Sequence, residues 1–148
     1  MSRTREQVVW DFVQEWMRKA EGDLRAAEHL LCLPEQDHFT AAFHAQQAGE
    51  KLLKAFLVRH QIAFPKTHRI QDLLELAARA EPGLKAELGS AAMLTPFGIE
   101  FRYPGEEIAD AKTARAALRE AQRVRDAIIR KLQGYLDRGR TSKRRRTG

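Results

Sequence analysis

Two lysines, a glutamine and a histidine share one strip of the segment 39–60. His44, Gln47, Lys51 and Lys54 recur at intervals of three, four and three residues, the spacing that stacks side chains on one helix face. Two ammonium groups beside an imidazole and an amide make a compact cationic patch able to receive a phosphate-bearing ligand. The same strip also fits an ordinary solvated helix face. Arg102 is the second candidate. Its planar fork suits a phosphate, and equally a buried carboxylate. Gln46 and Glu50 fall on the apolar side of the 39–60 segment, beside Phe43 and Leu53, where polar groups are costly unless paired. The expected buried network is Asp23, Gln46, Glu50 and Arg102, the arginine answering Glu50 or Asp23. His68 either pins its loop to this helix or shuttles a proton. No second histidine lies three or four residues from it and no carboxylate-rich motif surrounds it, so no metal site and no cofactor are expected.

The elements that must position these residues read as helices. Apolar residues at 16, 20, 24, 27 and 31, with Trp10 and Phe12 extending the face, predict a first helix over 4–33 that Pro34 ends. The second helix spans about 38–61. Pro65 disfavours helix at Phe64, and Thr67 is a candidate N-cap for a third helix over about 68–80. A shorter fourth covers about 84–94. Residues 95–109 read as irregular, with Pro96, Gly98, Pro104 and Gly105 close together. The last helix runs from about 110 to 136, capped by Asp110. With no strand-like alternation beyond 97–103, the fold class is an all-α antiparallel up-and-down bundle of four main helices plus a short one.

Four fragments occur in a recognisable order: Trp16–Glu28, Phe43-His-Ala-Gln-Gln-Ala-Gly-Glu-Lys-Leu-Leu-Lys-Ala55, Lys66-Thr-His68 and Phe101-Arg-Tyr-Pro104. Together they resemble the HEPN domain family of helical proteins over roughly residues 8–136. The resemblance implies a helical bundle that homodimerises and works with a minimal nucleotidyltransferase, in toxin–antitoxin-like or nucleotide-handling systems. It also implies similarity to the helical domain of aminoglycoside (kanamycin) nucleotidyltransferases, and so a nucleotide site lined by Lys51, Lys54, His68, Arg102 and Tyr103.

Many members of that family are metal-independent ribonucleases, whose mark is an arginine, four to six intervening residues, then a histidine. No pair here has that spacing: three residues separate Arg25 from His29, none separate Arg59 from His60, and no histidine follows Arg102. The leading expectation is therefore a non-catalytic binding module with no catalytic residue assigned. The alternatives are a ribonuclease toxin in which His44 or His68 serves beside Arg102, and a purely structural interaction protein.

Charge is unevenly distributed. Residues 138–148 hold six of the 26 basic residues and no acid, which leaves 20 basic against 20 acidic residues in 1–137. The domain is expected to end at 137 and the basic tail at 138–148 to be disordered, touching nucleic acid non-specifically if at all. A single cysteine, Cys32, excludes an internal disulfide and a multi-cysteine zinc motif. No export signal or membrane span is read, so the cytoplasm is the expected location and no membrane contact is foreseen.

Overall fold

The computed structural model describes residues 2–99 and 109–147. Its elements are α1 (Arg5–Cys32), α2 (His38–Arg59), α3 (Ile70–Ala77), α4 (Gly83–Leu88), a 3-10 helix (Gly89–Leu94), α5 (Thr95–Ile99) and α6 (Ala111–Thr147). The architecture is the expected all-α bundle. Arg102, Tyr103 and the second half of the irregular segment lie outside the described residues.

Caps explain where the long helices begin. Thr4 and Gln7 close a capping box at the start of α1, with Thr4 N–H donating to Gln7 Oε1 at 2.8 Å and Gln7 N–H to Thr4 Oγ1 at 3.2 Å. Asp37 accepts from Thr40 N–H at 3.0 Å, and Asp110 from Thr113 N–H at 2.7 Å. The end of α2 has no glycine. Gln61 takes the left-handed conformation, with φ 53°. Ile62 N–H then bonds to Leu57 O at 2.9 Å and Gln61 N–H to Val58 O at 3.0 Å, the paired bonds of a Schellman stop.

Packing places α2 at the centre. It touches α1, α3, the 3-10 helix, α5 and α6, and nearly every residue from Ala41 to Leu57 is buried or half-buried. Polar contacts fix the direction of the other elements. Gln122 reaches Glu28 and Trp10 Nε1–H donates to Leu136 O at 3.2 Å, so α6 runs antiparallel to α1. Lys131 meets Glu81, Arg130 meets Glu87, and Glu120 accepts from Ser90. As the chain advances from 81 to 90, its partners on α6 step backward. The segment 83–99 is therefore the third leg of an up-down-up-down bundle, built from three short helices.

Several expectations are adjusted. The buried face of α1 is Trp10, Val13, Met17, Ala20, Leu24 and Ala27. Phe12 is 58% exposed, because it lies two residues and about 200° from Trp10 and cannot share its face. Helix α3 begins at Ile70 without a side-chain cap, and Thr67 instead accepts from Arg69 N–H at 3.2 Å. The predicted helix over 84–94 divides at Gly89, and α5 occupies 95–99, where irregular chain was expected. The largest difference is the tail. Helix α6 continues through 138–147, because Gly139 lets its backbone close onto Trp10. A Cβ at Gly139 would lie 1.8 Å from Trp10 Nε1.

Candidate functional site

The polar residues of α2 form two clusters. Gln46, Glu50 and Lys54 are spaced four apart and point to one side of the helix. The Glu50 side chain is 6% exposed and its Oε1 receives Lys54 Nζ at 2.6 Å. Gln46 Nε2–H donates to Glu50 Oε2 at 3.1 Å and to His68 O at 3.2 Å, while its Oε1 accepts from Gln47 at 2.6 Å. His68 Nδ1 lies 3.2 Å from both Glu50 oxygens. A carboxylate can only accept, so Nδ1 carries the proton facing Glu50; the His68 side chain is 53% exposed. Burial pushes the Glu50 carboxyl upward, but hydrogen bonds from Lys54, Gln46 and His68 outweigh it and hold the group below its ordinary value.

Lys54 is enclosed as well. Its ammonium sits 5.7 Å from the Trp16 ring centroid and 5.6 Å from that of Phe64, so α1 and the 60s loop both contribute to its surroundings. Close packing holds the cluster from the other side. A Cβ on Gly98 would fall 2.5 Å from the Gln46 side chain, so glycine there lets α5 lie directly against the amide.

The second cluster joins α1 to α2. Asp23 accepts from Lys51 Nζ at 2.5 Å through one oxygen and meets His44 Nδ1 at 2.9 Å through the other. His44 and Lys51 are seven residues apart, two turns of one face, and Asp23 bridges them. The foreseen network of Asp23, Gln46, Glu50 and Arg102 is thus two networks among the described residues. Glu50 is satisfied by Lys54, Gln46 and His68, and Asp23 by Lys51 and His44; Arg102 lies outside the described residues.

The site residues foreseen from sequence therefore separate. His68 stands at the surface beside Glu50, and Lys51 is one quarter exposed against Asp23. Lys54 is not on a solvated face; it supports the cluster from within. The roles of Trp16 and Phe64 around Lys54 were not foreseen, since Trp16 reads in sequence as part of the apolar face of α1 and Phe64 as part of a connection. Among the described residues, no three metal-ligating side chains come together, and no helix is long and apolar enough to cross a membrane.

A central helix carrying an enclosed Gln–Glu–Lys column, tied to a loop histidine within a four-legged bundle, defines a helical domain organised around one polar layer. The family model for the HEPN domain matches residues 13–132, from α1 to well into α6, and the chain belongs to that family. No curated protein and no solved structure matches it.

Proposed function

We propose that this chain is a non-catalytic HEPN binding module, the partner of a minimal nucleotidyltransferase, with a nucleotide site on the His68 side of the polar layer. The observation that carries the reading is the commitment of its histidines. His44 is held by Asp23 and His68 by Glu50, and none of the five histidines has the arginine spacing of the family's ribonucleases. A phosphate there takes a hydrogen bond from His68 in its imidazolium form, both ring nitrogens then being donors, and one from the partly exposed Lys51. In this reading Arg102 and Tyr103 complete the site, and Lys54 keeps Glu50 charged beneath it.

A thermal-shift titration with ATP, GTP, CTP and UTP tests the nucleotide site. A ligand at about 100 times its Kd adds about 2.7 kcal/mol to the folded state, which at about 2–4 °C per kcal/mol raises Tm by roughly 5–11 °C. The expected result is a selective shift that Arg102→Ala abolishes without unfolding the protein. No shift with any nucleotide at millimolar concentration refutes the site.

The Glu50–His68 pair favours one second reading, a ribonuclease toxin in which His68 is the displaced histidine. A carboxylate on Nδ1 fixes the tautomer that leaves Nε2 ready to take a proton. This reading requires RNA cleavage by the purified protein, lost in His68→Ala and in Arg102→Ala. Intact RNA after prolonged incubation rejects it.

A further inference from the structure

A second concave site lies at the far end of α2. Arg59 lies eight residues beyond Lys51, about 12 Å along a helix rising 1.5 Å per residue. There the start of α1, the end of α2 and the basic stretch of α6 enclose a cleft of ≈ 930 Å³. That volume is near the top of the roughly 300–1,000 Å³ range of pockets that enclose a whole small ligand, and exceeds what a lone phosphate needs. Six cations line it: Arg3 and Arg5 before and at the start of α1, Arg59 from α2, and Arg138, Lys143 and Arg146 from α6. Glu6 and Asp11 are the acids in the lining, and Asp11 is already paired with Arg3 and Lys143. The cleft therefore carries an excess of four positive charges.

Its chemistry is more specific than charge. The Arg59 guanidinium lies over the Tyr135 ring at 4.1 Å, presenting a planar cation on which a nucleobase can stack. Among the described residues the Tyr135 hydroxyl is buried without a hydrogen-bond partner, and the ring meets the cleft through Arg59. The cations are also held in place rather than strung on a loose tail. Trp10 bonds to Leu136 O and packs directly on Gly139, which docks the basic helix against α1.

We infer that this cleft binds single-stranded nucleic acid, its arginines and Lys143 taking the phosphodiester backbone and the Arg59–Tyr135 stack receiving a base. An acidic peptide would satisfy the charge and leave the stack unused. The site is separate from the proposed nucleotide site, and either stands if the other fails.

The test is fluorescence anisotropy of a labelled oligouridylate of about 12 nucleotides, within the usual span of single-strand sites, with the full chain across a salt series starting at about 50 mM. An excess of four charges predicts a log–log salt slope of about −3, at about 0.7 per neutralised phosphate. R138Q/R146Q removes two cleft cations, whereas R140Q/R144Q removes two tail cations that do not line the cleft. The first pair should weaken binding by about fivefold or more and roughly halve the slope, as should R59Q in weakening binding, while R140Q/R144Q changes little. Far-UV circular dichroism and Tm confirm that each variant is folded. Three results overturn the inference: no binding at about 50 mM salt, equal losses from the two double variants, or displacement of the oligonucleotide by polyglutamate of equal charge as readily as by unlabelled oligonucleotide.

Discussion

Replacing Lys54 with methionine is the sharpest test of the polar layer. Methionine keeps most of the length and volume of the side chain but leaves the Glu50 carboxylate without its cation. The Lys54 and Glu50 side chains are 11% and 6% exposed, so solvent cannot rescue the charge, and removing one partner of a buried pair costs about 3–5 kcal/mol. For a domain of this size that lowers Tm by roughly 6–20 °C. Urea unfolding followed by far-UV circular dichroism reads the loss directly. The double variant Glu50→Gln/Lys54→Met removes the stranded charge and should recover about 2 kcal/mol or more of it. Lys51→Met is the internal contrast. It is 24% exposed beside a 12%-exposed Asp23 that retains His44, so its cost should be smaller than that of Lys54→Met. The pH dependence carries a further signature. Without Lys54, burial, the largest influence on Glu50, drives its folded pKa upward. The variant then gains a proton on folding as pH falls, and its deficit should narrow below about pH 5. A Lys54→Met protein within 1 kcal/mol of the parent at neutral pH would refute the buried pair.

Gly139→Ala sets two effects of opposite sign against each other. Alanine favours an exposed helix interior by about 1 kcal/mol, but its Cβ would strike the Trp10 ring, and overpacking costs about 1–3 kcal/mol. Net destabilisation with altered tryptophan fluorescence is expected; a more stable protein would mean that α6 is not docked there. Acid should also weaken the parent protein in a defined order. The folded pKa of His60 is lowered, first by burial and then by Arg59. Stability is therefore full above its ordinary 6.5 and declines as His60 is forced to charge below it. Glu50, depressed below its ordinary 4.5, adds a second decline once pH falls beneath that value. A urea-midpoint series from pH 8 to 3, compared with His60→Gln, checks the first step, and a flat profile between about pH 7 and 5.5 contradicts it.

Much of the fold is written locally. Apolar positions at three- and four-residue steps, Asp37, Asp110 and the Thr4–Gln7 box mark the starts of the long helices to within a residue or two. The buried positions of α6 up to Leu132 follow the same period. Where local signals competed, tertiary contacts decided. Trp16 and Met17 are apolar neighbours between Glu15 and Arg18, and only the docking of α1 on α2 selects Met17 for the core and turns Trp16 toward Lys54. Gln61 ends α2 in a conformation that glycine usually supplies, and the bonds from Gln61 and Ile62 to α2 hold it there.

Residue types and spacing alone determined that this is an all-helical HEPN domain, that Gln46 and Glu50 needed partners inside it, and that its charge excess lies at the C-terminal end. They could not name those partners. Lys54 and Lys51 are equally cationic and three residues apart, yet one is enclosed by Trp16, Phe64 and Glu50 and the other bridges to Asp23 in the part-buried seam between α1 and α2. That distinction depends on which side of α2 each neighbouring element covers. The basic segment follows the same logic. Composition describes 138–148 as a solvated, repelling stretch; its arginines and lysine favour helix locally, and Gly139, admitting the Trp10 ring, couples that helix to the packed end of α1.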